Sequence, residues 1–175
     1  MKTLIQASTL NALMLGNFDR TVSVGEFLRH ADTGLGTYAE LDGEAIFENG
    51  IAYKATADGR IVTMKPEEGV AFGTVMAFDE NAPEVELRDI GDIEALKQAL
   101  EPYVSGNRNV FYMMKAGGVF KTMHTRSCFA SKKPYPTLSE VAKNQREFHF
   151  ENTRGSVIAV WCPQYVNGPA GISTT

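Results

Sequence analysis

The stretch Thr37-Tyr-Ala-Glu-Leu41-Asp42-Gly43-Glu44-Ala-Ile-Phe-Glu48-Asn49-Gly50-Ile51-Ala-Tyr-Lys-Ala55-Thr-Ala-Asp58-Gly59-Arg60-Ile-Val-Thr-Met64 decides the reading of the fold. Short strand-like runs at 37–41, 44–48, 51–55 and 60–64 are separated by Asp42-Gly43, Asn49-Gly50 and Asp58-Gly59. Type I′ turns need positive φ at both central residues, and Asn-Gly and Asp-Gly supply it most readily. The spacing therefore predicts an antiparallel meander. Residues flanking a two-residue turn face each other on one side of the sheet. Thr37, Ala39, Leu41, Glu44, Ile46, Ile51 and Tyr53 then share a largely apolar face with Glu44 in its middle. A carboxyl held there without a cation has its pKa raised, which makes it a candidate for acid–base work. The competing reading is a slipped register, or Glu44 at an exposed edge.

Working outward, Ser8 is placed to cap a helix through Leu10, Leu13, Met14 and Leu15. Ser23-Val-Gly-Glu26 has capping-box spacing, and that helix is expected to end in a Gly-rich loop from His30 to Gly36. Downstream, Ala71–Phe78 reads as a strand and 79–91 as a polar connection. Asp92 caps a helix through Ile93, Leu96 and Leu100 that Pro102 should end. Val110–Met114 and Val119–Phe129 read as strands around Gly117-Gly118, either a tight turn or a bulge. Thr137–Arg146 reads as a short helix capped by Thr137 or Ser139. Phe148–Phe150 and Ser156–Cys162 complete the strands, with loop from Pro163 onward.

The chain has 175 residues, 43% hydrophobic and 22% charged, with a formal net charge of −4. That is enough for a sizeable core. A mildly acidic chain without a basic cluster is not expected to bind nucleic acid or to attach to membranes electrostatically. Cys128 and Cys162 form no CxxC and are expected to be buried thiols acting as small hydrophobes. Gln6, Ser8, Thr9 and Asn11 interrupt the N-terminal apolar stretch, so it reads as a mature helix rather than a signal peptide, which implies a cytoplasmic protein. No run approaches 18 apolar residues, so no transmembrane span is expected.

A second candidate comes from alternation along Val119–Phe129. Phe120, Thr122, His124, Arg126 and Cys128 fall on one face, which sets His124 beside Arg126. A buried arginine there would suit a carboxylate, because its guanidinium offers a fork of donors. The alternative is a solvated strand face. The three histidines, His30, His124 and His149, have neither HxH nor HExxH spacing, so no metal ligand is expected within the chain. His149 reads as a strand residue, and His30 as a residue at a helix C-terminus. Gly34-Leu-Gly36 follows a helix and lacks a third glycine, so it is no dinucleotide loop. There is no serine nucleophile elbow and no Walker sequence.

Several motifs in order carry a resemblance. Ser8 to Gly16, His30 to Thr37 and Leu41-Asp-Gly-Glu44 are similar to the N-terminal part of α-acetolactate decarboxylases. Phe120-Lys-Thr-Met-His-Thr-Arg126, Pro134-Tyr135, Arg154-Gly155 and Pro163-Gln-Tyr-Val-Asn-Gly168 follow in that family's order and spacing. The resemblance runs from about Leu4 to about Gly171. It implies conversion of 2-acetolactate to acetoin and CO₂. It also implies zinc as a Lewis acid at the ketone and hydroxyl oxygens and a placed acid to protonate the enediolate. The family's pocket glutamate and arginine match Glu44 and Arg126, with His124 as a supporting neighbour.

In the family, zinc is held by an HxH pair just after this loop and a further histidine. Those HxH positions fall on Ser173 and Thr175, so the expectation is a fragment or degenerate relative lacking the metal ligands and a C-terminal glutamate. The resemblance implies an α+β fold, with antiparallel and mixed sheets and a few helices in two sub-domains. Residues 1–105 would form an N-terminal sub-domain containing the meander, and 106–175 the start of a truncated, β-rich second one. A homodimer is expected, because missing strands leave sheet edges unpaired, which favours dimerisation or instability. Two functions compete: a decarboxylase acting on 2-acetolactate, and a silent member that binds a small ketol acid or a partner chain without turnover.

Overall fold

Asn49 and Gly50 have φ of 52° and 76°, the two positive values that a type I′ turn requires. Strand β4 (Glu44–Glu48) therefore returns directly into β5 (Ile51–Ala55), with Glu48 opposite Ile51. This hairpin is the centre of a computed structural model that describes residues 2–163 and Val166. Around it, β1 (Leu4–Ala7), β2 (Val22–Ser23), β3 (Thr33–Tyr38), β6 (Ile61–Thr63) and β7 (Gly69–Met76) complete a seven-stranded sheet. Its order is β1-β7-β3-β4-β5-β6, with β2 also paired to β7. Every strand pairing among the described residues is antiparallel.

The other two connections of the meander are longer than the sequence predicts. Between β3 and β4 the chain makes a 3₁₀ turn at Ala39–Leu41, and Glu40 and Leu41 have φ of 64° and 57°. Ala39 and Leu41 thus leave the strand, and only Thr37 remains opposite Glu44. The β5–β6 connection spans Thr56 to Arg60, with positive φ at Gly59 but not at Asp58.

The His30–Gly36 stretch is also not a loop. Gly34 and Gly36 lie within β3, where an added Cβ would meet the Thr74 carbonyl oxygen at 2.1 Å and that of Phe72 at 2.2 Å. The two backbones approach too closely for any side chain at these positions.

Helix α1 (Leu10–Met14) is capped by Thr9, whose Oγ1 accepts from the Ala12 N–H at 3.2 Å. Ser8 is left in the left-handed region at φ 62°. Helix α2 (Val24–Phe27) has the expected capping box between Ser23 and Glu26. It lays Phe27 edge-on against Phe47, with ring centres 5.5 Å apart. Phe27, Phe47, Val70 and Val75, all nearly inaccessible, form the main core on one face of the sheet. Glu44 points to the opposite face. There a second cluster of Leu13, Phe18, Leu41 and Cys128 closes against Phe72, Tyr135 and Leu138.

Asp92 caps α3 (Ile93–Val104) by accepting from the Ala95 N–H at 2.8 Å. Pro102 does not end this helix. It sits in the last turn, where the missing N–H forfeits one hydrogen bond, while Ser105 still donates to the Glu101 carbonyl and Val104 is buried. The rest of the chain forms one long antiparallel pair, β8 (Tyr112–Ser127) and β9 (Arg146–Trp161), linked through α4 (Leu138–Val141). Thr137 caps α4, donating from its N–H and Oγ1 to Glu140 at 2.8 and 2.7 Å. Gly117 and Gly118 form neither a turn nor a bulge: they face Ser156 and Gly155 in unbroken register.

Three contacts lay one face of the hairpin on the sheet. Ser127 Oγ donates to the Ala55 carbonyl at 2.9 Å, Lys115 Nζ donates to Asn49 Oδ1 at 3.0 Å, and the Phe148 ring lies against Gly59. No helix among the described residues is long and apolar enough to cross a membrane.

Candidate functional site

Glu44 opens β4 with Thr37 on one side of it and Ala55 on the other. The same Ala55 carbonyl receives the Ser127 hydroxyl, so the end of β8 is pinned beside Glu44. That contact delivers Cys128, whose backbone N–H donates to the Glu44 carboxylate. Burial dominates the electrostatics here. Desolvation pushes the Glu44 carboxyl up to about 7, while the Arg126 charge and the Cys128 N–H hold it below where burial alone would take it. The same surroundings push the Cys128 thiol up to about 11, by burial first and by Glu44 next. Cys128 is thus a neutral, packed thiol, and both cysteines are free. The loop leading into Glu44 is held firmly despite its two left-handed residues. Glu40 donates its N–H to the Phe18 carbonyl and accepts from the Ser131 N–H, each at 2.7 Å. Left-handed non-glycine backbone persists where surrounding contacts over-determine it, and such positions concentrate at functional sites.

The face traced from β8 holds as far as Arg126: His124 and Arg126 point to the same side, whereas Cys128 lies past the end of the strand and is buried. That side is exposed, however, so Arg126 is a surface arginine and not the buried one the carboxylate reading favoured. The inward face of β8 carries Met123, Thr125 and the buried Ser127 instead. Arg126 still lies near enough to Glu44 to act on its charge, with no ion pair within 4.0 Å between them. Together they offer a carboxyl whose pKa is raised to about 7 and a nearby guanidinium at one end of the hairpin.

Sequence spacing missed a second group on that outer face. His124 stands opposite His149, and Arg126 opposite Glu147. The two imidazoles stack with ring centres 4.0 Å apart and planes inclined by 14°. His124 Nε2 lies 3.3 Å from Glu147 Oε2. Among the described residues, His124, Glu147 and His149 are the group able to hold a metal ion. HxH and HExxH searches see one strand or helix at a time, so only the β8–β9 register reveals it. Ser173 and Thr175, where the resemblance puts the zinc ligands, lie outside the described residues, and their hydroxyls are not the imidazole, thiolate or carboxylate donors that zinc takes.

The comparisons with known proteins agree with this frame. The sequence model described as alpha-acetolactate decarboxylase matches residues 4–172. The chain is 35% identical to the alpha-acetolactate decarboxylase of Brevibacillus brevis, over 93% of this chain and 56% of that one. With the enzyme of the same name from Lactococcus lactis subsp. cremoris it shares 34% identity, over 94% of this chain and 69% of the relative. The chain thus spans little more than half the length of the Brevibacillus relative. The crystal structure of alpha-acetolactate decarboxylase from Bacillus subtilis strain 168 superposes with a TM-score of 0.87 at 28% identity, covering 94% of this chain and 70% of that one. A Staphylococcus aureus protein described as similar to alpha-acetolactate decarboxylase gives 0.85 at 29% identity, with 93% and 68% covered. With nearly its whole length matched in sequence and fold, the chain belongs to the alpha-acetolactate decarboxylase family.

Proposed function

We propose that this protein converts 2-acetolactate to acetoin and CO₂, with Glu44 managing the proton and Arg126 holding the substrate carboxylate or an enediolate oxygen. One observation carries the reading: in a chain of this family, the carboxyl matching the family's pocket glutamate is desolvated, with its pKa near 7 and a guanidinium close by. Loss of CO₂ from a β-keto acid leaves an enediolate that must be protonated. A general acid works best when its pKa lies near the working pH. Glu44 meets that condition, which an exposed glutamate near 4.3 would not. Arg126 adds a fork of donors matched to a carboxylate. Zinc dependence enters by resemblance alone. The positions assigned to zinc offer no fitting ligand, and no step here runs through a metal.

The same reading includes a homodimer, supported by a two-stranded sheet whose outer edges are unpaired among the described residues. It also includes a cytoplasmic location and a sub-domain boundary near residue 105, after which the chain enters the β8–β9 sheet. Acetoin formation from 2-acetolactate by the purified protein, with and without added zinc, tests it. Turnover supports the proposal. Binding of 2-acetolactate without acetoin formation would replace it with the silent-member reading, which the hydroxyl side chains at Ser173 and Thr175 favour.

A further inference from the structure

We propose that His124, Glu147 and His149 form a divalent transition-metal site on the outer face of the β8–β9 hairpin, built from this chain alone and separate from the positions the family resemblance assigns to zinc. The register creates the site. His124 and His149 are directly opposed across the two strands, and Glu147 precedes His149 by two residues, so it lies on the same face. Directly opposed residues on one face of an antiparallel pair have Cβ atoms only about 5 Å apart. Each of the three offers one ligand atom, and these atoms lie within 4.8 Å of one another.

Ligands about 2.0–2.1 Å from a tetrahedral metal are themselves separated by about 3.3 Å. The His124–Glu147 contact already has that length, at 3.3 Å. The remaining closure needs only side-chain rotation, which is open to these exposed side chains. Two imidazoles and a carboxylate are a donor set that binds zinc and related divalent ions with positions left for water.

The surroundings favour a cation on balance. Arg126 faces Glu147 across the strands, yet the ion-pair contact of Glu147 within 4.0 Å is with His124. Glu151 lies one rung further along the same face, opposite Thr122, and adds negative charge. The stacked imidazole pair and the Glu147 carboxylate have their donors gathered on one face of the hairpin. A metal ion would convert that arrangement into coordination. The site does not depend on the decarboxylase reading, since it needs neither Glu44 nor any residue after His149.

The test is zinc titration of the intact chain, read by the ring signals of its three histidines in NMR and by calorimetric stoichiometry. One Zn²⁺ per chain is expected, shifting His124 and His149 and leaving His30 in place. His149→Ala should weaken binding by at least the roughly 10–100-fold that loss of even an outer-shell partner costs. Glu147→Gln, which preserves shape at a surface position, should weaken it in the same direction. Zinc binding undiminished in both variants, zinc held through His30, or no binding at all would overturn the proposal.

Discussion

Replacing Glu44 with Gln should change stability in a manner set by pH. The substitution keeps the side chain's size and much of its hydrogen bonding but removes the titration. Burial, opposed by Arg126 and the Cys128 N–H, holds the folded carboxyl near 7, against its ordinary 4.5. Below pH 4.5 the group is neutral in folded and unfolded chains alike and has no effect on the balance. Between 4.5 and 7 the unfolded chain binds fewer protons than the folded one, so stability falls as pH rises. Above 7 the folded carboxyl is ionised too, and the full penalty is present. Each pH unit in that window is worth about 1.4 kcal/mol, so the total is on the order of 3 kcal/mol as an upper bound. Glu44→Gln should therefore be close to wild type in stability near pH 4 and more stable by up to about 3 kcal/mol near pH 8. Urea unfolding followed by circular dichroism at several pH values measures this. A difference between the two proteins that stays constant from pH 4 to 8 would refute the desolvated carboxyl.

Four further outcomes follow from contacts at the site and in the sheet that carries it. Arg126→Gln removes a favourable charge and should move the Glu44 titration, followed by carboxyl NMR, upward; in the active enzyme Arg126→Lys should lower kcat/KM by at least about ten-fold, because an ammonium cannot reproduce the guanidinium fork. Ser127→Ala removes the hydroxyl that pins β8 to the Ala55 carbonyl and should cost about 1 kcal/mol in urea unfolding. Gly36→Ala places a Cβ 2.2 Å from the Phe72 carbonyl oxygen and should cost about 2 kcal/mol or more by the same measurement, whereas a neutral effect would mean that β3 and β7 are not in such close contact.

Local chemistry was the legible part of this sequence. Asn49-Gly50 announces its hairpin because few other dipeptides accept two positive φ values. The Ser23–Glu26 box and the Asp92 cap are likewise complete within four residues. The glycines were harder. Gly34 and Gly36 read as loop because glycine is flexible, yet here they are required by the approach of β7, a partner some forty residues distant. Gly117 and Gly118 read as an interruption, but Ser156 and Gly155 opposite them carry the ladder through. The same limit governs the site. The hairpin alternation puts Glu44 on an apolar face, although the fully buried core lies on the other side of the sheet, and Cys128 and its neighbours from a distant segment cover the carboxyl. His124 and Arg126 were correctly placed on one face, but their exposure depends on how the hairpin lies on the sheet. The pairing of His124 with His149 depends on a register that no spacing motif encodes.

The proposed role of Glu44 as the proton-managing group of a decarboxylase is tested most directly by the rate of acetoin formation by Glu44→Gln. With the variant's circular dichroism matching wild type, kcat should fall by roughly the 10²–10⁴ that loss of a general acid or base costs. Full turnover by the folded variant would contradict the account and move the proton to another group.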